Sequence, residues 1–170
     1  SFGAAVVAKY AANNPENISF IGYQVPLINS ANISLLSVAK VPLYGDLLTR
    51  VLLVPGVLKR IEEYEGLMSK KLLDHYKGQF EVKGTEKFFK KFFLGNATSN
   101  RLDDHNIIGS NSIPSYFAYA EDDVEIDSQL VEEAINNYDN PIVKKYSGGH
   151  FFSSGIERKV AQEFIDSIKK

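Results

Sequence analysis

A small-residue helix running almost at once into a β-branched strand opens this chain, and that order constrains the fold more than anything after it. Ala4-Ala5-Val6-Val7-Ala8-Lys9-Tyr10-Ala11-Ala12 predicts a helix that ends near Asn13-Asn14-Pro15, two turn formers and a proline. Its alanine side is a packing face. Ile18-Ser19-Phe20-Ile21-Gly22-Tyr23-Gln24-Val25, β-branched and aromatic and closed by Pro26, predicts a strand. The alternation returns near the other end. Ile113–Ala120 reads as a strand, and residues 128–135 read as a helix capped by Asp127 or Ser128. Pro141–Tyr146 reads as another strand, and a last helix over about 156–169 carries Ile156, Val160, Phe164 and Ile168 at every fourth position, with Lys169 and Lys170 suiting its end. Strands separated by helices in this way point to a parallel sheet with right-handed crossovers, the α/β class.

Between the two halves of that pattern, residues from Leu27 to about Ser112 are several times longer than a single crossover helix needs. They predict an inserted helical lid. A helix is expected over about 45–53, broken at Pro55-Gly56, and a second over about 57–76, where Val57, Leu58, Ile61, Tyr64 and Met68 form one apolar stripe. A third begins after Gly84 with Thr85 as its cap, Phe88, Phe89, Phe92 and Phe93 on its apolar side, and Lys87, Lys90 and Lys91 opposite. Those phenylalanines read first as lid core, and alternatively as an acyl-binding wall. Asn96 to Ser112 is polar and turn-rich, a return path to the sheet.

Three short stretches carry chemistry. Ser1-Phe2-Gly3 runs directly into the first helix, with Gly3, Ala4 and Ala8 small enough for a strand and a helix to pass closely. Taken alone this serine reads as an ordinary helix N-cap. The strand at 113–120 empties into Glu121-Asp122-Asp123-Val124-Glu125-Ile126. The strand at 141–146 empties into Ser147-Gly148-Gly149-His150-Phe151-Phe152. The chain order is therefore serine, acid after a strand, histidine after a strand. With Pro15-Glu16-Asn17 after the first helix and Glu157 beyond the histidine, this resembles the C-terminal half of a serine α/β-hydrolase, from the nucleophile elbow onward. The resemblance covers residues 1–26 and 113–170 and weakens between them.

The resemblance implies a truncated parallel-sheet α/β-hydrolase fold: core at 1–26, helical lid at 27–112, core again at 113–170. It implies Ser1 as nucleophile, His150 as base and Asp123 as the orienting acid, since a serine hydroxyl needs a neighbouring base and that base a carboxylate. The family frame sets a small residue after the strand, two variable residues, the aspartate, and an aliphatic residue three further on. Ala120-Glu121-Asp122-Asp123 with Ile126 fits it, leaving Asp122 and Glu121 as solvated bystanders. A proline is frequent in relatives where this chain has Asp127. The backbone N–H of Phe2 would be one oxyanion donor, and the second would come from a loop absent from this sequence. Leu27, Phe88 and Phe92 are the expected pocket lining. His75, at a helix end, and His105, in a polar loop, are expected to be solvated.

The implied activity is hydrolysis of a small, mostly apolar ester, thioester, amide or carbon–carbon substrate. A serine at the nucleophile position speaks against the dehalogenase and epoxide-hydrolase branches. A hydrolase-like receptor that senses a ligand in the same pocket is the rival from another class. A third reading, a self-processed N-terminal serine nucleophile, would require an antiparallel sandwich. The resemblance also implies that the N-terminal half of the domain is missing from these 170 residues, which alone would be inactive and poorly soluble. A formal net charge of −2, from 19 basic and 21 acidic side chains, excludes a broad basic face for nucleic acid. With no cysteine, disulfides and thiolate chemistry are excluded, though no compartment follows. No cofactor is implied, and scattered histidines give no metal motif. The apolar runs are too short to span a bilayer. Glycosylation triplets at Asn17, Asn32 and Asn96 are read as chance.

Overall fold

The computed structural model describes residues 1–29, 44–63, 69–94, 99–152 and 156–169. The expected stripe members Tyr64 and Met68, the triplets beginning at Asn32 and Asn96, Lys170, and the side chains of Phe93 and Glu157 lie outside what it describes. The chain divides into two compact units, Ser1–Ser30 with Asn100–Lys170, and Ala31–Ser99.

The first unit is built on a three-stranded parallel sheet of β1 (Ile21–Gln24), β2 (Ser115–Ala120) and β3 (Ile142–Tyr146), in the order β1-β2-β3. Ile21 lies opposite Ser115, and Tyr116 opposite Ile142. The central strand, Ser-Tyr-Phe-Ala-Tyr-Ala, is buried at every position, so it shows no polar alternation. Parallel strands covered on both faces read that way. Below one face lies α1 (Phe2–Asn13), whose Ala5, Ala8, Ala11 and Ala12 are buried because their small side chains let the helix approach closely. Three of them, Ala8, Ala11 and Ala12, pack in a cluster with Ile21, Tyr23, Phe117 and Tyr138. A second cluster gathers Tyr116, Ala118, Val131, Phe152 and Val160, drawing in α7 (Ser128–Ile135) and α8 (Ile156–Ile168). Asp127 caps α7, accepting from Gln129 N at 3.0 Å.

The sequence predicts the first strand over 18–25, yet β1 covers only Ile21–Gln24. Val25 turns out of extended geometry at φ 42°, a value β-branched residues rarely adopt, and Pro26 follows. The Val25 N–H still donates to Ala118 O at 2.8 Å.

The larger difference is at residues 96–112. In place of a polar return path the structure has α6 (Leu102–Ser110), which belongs to the first unit and packs beside α1. Its inward positions include polar side chains, which hides the helix from a hydrophobic pattern. Asp104 pairs with Lys9 at 3.0 Å and Arg101 at 3.1 Å. Gly109 is there because the end of α7 passes too close for a side chain: a Cβ would lie 1.8 Å from Asn137 O. Gly109→Ala should therefore destabilise by about 1–3 kcal/mol or more, seen as a fall in the urea midpoint at unchanged slope.

His105, expected to be solvated, is 1% exposed. Its Nδ1 lies 2.6 Å from the Tyr138 hydroxyl, which shares a 3.3 Å hydrogen bond with that of Tyr23. Burial lowers its pKa from 6.5 to about 4, opposed by the nearby Asp104 carboxylate. The folded protein thus binds fewer protons than the unfolded chain between these values. His105 contributes stability that is complete above about 6.5 and is lost as pH falls through about 4. The loss should reach on the order of 3 kcal/mol by about pH 4. Urea titrations across this range should give a shallower dependence in His105→Gln than in the wild type.

The second unit is helical: α2 (Gly45–Leu48), a π-helical turn (Thr49–Leu53), α3 (Val54–Glu63), α4 (Lys70–Gln79) and α5 (Thr85–Leu94). A break is predicted at Pro55-Gly56, but helix continues through it. In regular α winding the Pro55 ring would meet the carbonyl four residues earlier, and the wider π turn just before moves that carbonyl aside. The single helix expected over 57–76 is instead two, with Ser69 capping the second by accepting from Leu72 N at 3.3 Å. Thr85 is the first residue of α5 and its hydroxyl donates to Gln79 O at 2.9 Å, so it does not serve as the expected cap. Lys77–Glu62 and Lys90–Asp46 ion pairs join these helices. Among the described residues no helix is long and apolar enough to cross a membrane.

Candidate active site

Each of the three sequence-predicted residues hangs from the C-terminal end of a different strand of the sheet. Ser1 is tied to the end of β1, its nitrogen donating to Gln24 O at 2.9 Å and its carbonyl accepting from Leu27 N at 3.3 Å. Asp123 lies three residues beyond β2, and His150 four beyond β3. Open α/β sheets bind ligands at this edge.

His150 Nδ1 lies 2.9 Å from Asp123 Oδ2. The acid is almost wholly enclosed, at 1% side-chain exposure, while the histidine retains 13%. The other Asp123 oxygen, Oδ1, accepts from Glu125 N at 2.7 Å and Ile126 N at 3.2 Å. The carboxylate is thus held at both ends, by two backbone amides and by the imidazole. A buried charge is tolerated when its oxygens are satisfied in this way. With Nδ1 committed to Asp123, Nε2 is the ring nitrogen left to exchange a proton with a substrate or nucleophile.

Ser1 occupies the N-cap position of α1, yet its side chain makes no capping hydrogen bond and the residue is exposed. An ordinary N-cap serine would accept from the second or third helical N–H. Phe2 is the first residue of α1, in the turn where helix amides face outward along the axis.

The acidic neighbours are solvent-exposed, as the sequence suggests, yet each has partners. Asp122 Oδ2 and Oδ1 accept from Gly148 N and Gly149 N at 3.0 and 3.1 Å. Those amides, Gly149 foremost, hold its carboxyl below the usual range. Glu121 pairs with Lys145 at 3.0 Å, and the same lysine reaches Glu132 at 2.7 Å. No local signal marks Asp122, since its partners are backbone amides 26 and 27 residues away.

Leu27, half-buried, is the one expected lining residue in the first unit. Phe88 and Phe92 lie on α5 of the second, their rings 5.9 Å apart, with Phe88 exposed and Phe92 half-buried. His75 is exposed within α4 rather than at a helix end. Among the described residues no group of three or more His, Asp or Glu side chains could hold a metal ion.

No protein-family model and no curated protein matches the sequence. Solved structures do. The chain is similar to an α/β hydrolase enzyme from a Medee basin deep-sea metagenome library, at TM-score 0.73 and 10% identity over 100% of this chain and 63% of that one. It is also similar to the thioesterase domain from the curacin biosynthetic pathway, at TM-score 0.57 and 12% identity over 99% of this chain and 64% of that one. The chain has the α/β-hydrolase fold, and spans just under two thirds of the length of these two structures.

Proposed function

We propose that this chain carries the triad of a serine hydrolase, with Ser1 as nucleophile, His150 as general base and acid, and Asp123 as the group that orients the imidazole. The observation that carries the reading is the 2.9 Å contact of His150 with an enclosed Asp123, on the sheet edge that also holds a serine whose hydroxyl caps nothing. His150 takes the Ser1 proton through Nε2 as the hydroxyl attacks a carbonyl carbon, and returns it to the leaving group. Asp123 stays ionised and stabilises the imidazolium. The Phe2 amide donates to the developing oxyanion, with a second donor from outside these 170 residues.

The substrate class that suits the sequence is a small, mostly apolar ester-like compound, an ester, thioester, amide or carbon–carbon substrate, with the half-buried Leu27 beside the site. The test is covalent labelling of the protein that carries this chain with a fluorophosphonate, alongside turnover of a generic aryl ester. Labelling at Ser1 with burst kinetics is the expected result. Binding of apolar esters without labelling or turnover would overturn it in favour of a hydrolase-like receptor.

A further inference from the structure

We propose that Asp122 is a positioning residue of this site, its carboxylate clamping the histidine loop to the acid loop so that the His150 ring meets Asp123. This rests on the reading of His150 as base.

Two features of the loop require a clamp. Gly148 and Gly149 sit at φ 99° and 66°, which glycine adopts freely. Phe152 sits at φ 58° and ψ 171°, a conformation essentially reserved for glycine. Such geometry persists only where the surroundings hold it. At the far end they do: Phe152 is 2% exposed, with its ring 5.1 Å from Tyr146. At the near end the holding group is Asp122, through both carboxylate oxygens. His150 lies between these anchors in a single 3-10 turn, Gly149–Phe151.

The ring is held through Nδ1 by Asp123 and lies edge-on to Phe151 at 5.4 Å, a neighbour carried by the same loop, so the height of the loop decides where Nε2 points. Asp122 and Asp123 are consecutive, and one short turn beyond β2 therefore sets both loop height and ring direction. The chemistry suits a carboxylate of this length. Two successive N–H groups need two acceptor oxygens, and ionised acceptors make the stronger bonds. Asparagine would turn an N–H₂ towards one of them, and glutamate is a methylene too long.

The test uses the protein that carries this chain, labelled with ¹⁵N-histidine, and compares wild type, Asp122→Ala and Asp122→Asn. The wild type should show a protected His150 Nδ1–H resonance. In Asp122→Ala its exchange with solvent should quicken roughly tenfold or more, as local opening becomes easier. The rate of Ser1 modification at saturating fluorophosphonate should fall about 10–100-fold, from misplacement of the base. The half-saturating concentration should stay within about twofold, because the pocket is untouched. Asp122→Asn should fall between, and it carries both readouts if Asp122→Ala does not fold. An unchanged resonance with an unchanged maximal rate overturns the proposal, as does a loss confined to half-saturation. If the wild type is not modified at Ser1, the hydrolase reading fails, and the His150 resonance still decides whether Asp122 positions the ring.

Discussion

Ser1→Ala is expected to lower kcat for an aryl ester by about 10⁶, the usual cost of removing the nucleophile of such a triad. Residual turnover of about 10³–10⁴ over water should survive, because oxyanion donors and pocket do not depend on the hydroxyl. Stability supplies a second, independent readout. A serine that merely capped α1 would cost about 0.5–2 kcal/mol on replacement by alanine. Ser1 makes no such bond, so the variant should unfold at the wild-type urea midpoint. The two accounts therefore predict opposite patterns: lost activity with intact stability, or lost stability with intact activity. Normal turnover in Ser1→Ala would end the hydrolase reading.

Much of the first unit is legible in the sequence because its strands and helices announce themselves by composition. The run from Ser115 to Ala120 suits a buried strand, and the alanines of α1 suit only a close neighbour. The neighbouring order β1-β2-β3 is not set by the alternation of strands and helices, which points to parallel pairing without saying which strands lie side by side. What stays hidden is polar and distant. The pattern misses α6 because Asp104 and His105 face inward, where a hydrophobic stripe would carry leucine. His105 is paired with Tyr138, 33 residues on, and no local rule joins them. The site divides by range in the same way. Asp123 is singled out by the α/β-hydrolase frame that Ala120 and Ile126 resemble, whereas Asp122 accepts from amides contributed by the loop after β3, which no such frame marks. In the second unit the usual rule for Pro55 assumes α winding, and the π turn removes that assumption.

Asp123→Asn is expected to lower kcat by about 10⁴ while leaving KM nearly unchanged, and the reason lies in how the acid is held. Asparagine matches aspartate in size, so the loop beyond β2 should keep its shape. Glu125 N and Ile126 N both donate to one side of the group, so the amide must turn its oxygen towards them. Its N–H₂ is then left facing His150 Nδ1, where the carboxylate accepted at 2.9 Å. A donor there forces Nδ1 to be the bare nitrogen and puts the ring proton on Nε2, the atom that must accept from Ser1. The base is then in the wrong tautomer, and no negative charge remains to stabilise the imidazolium. Binding does not involve the ring's far side, which is why KM should hold. The comparison that decides the acid is with Asp122→Asn, whose loss should be far smaller because it loosens the loop without reversing the tautomer. Should Asp122→Asn lose about 10⁴ while Asp123→Asn keeps most of its activity, the orienting acid is Asp122 and the assignment of Asp123 is wrong.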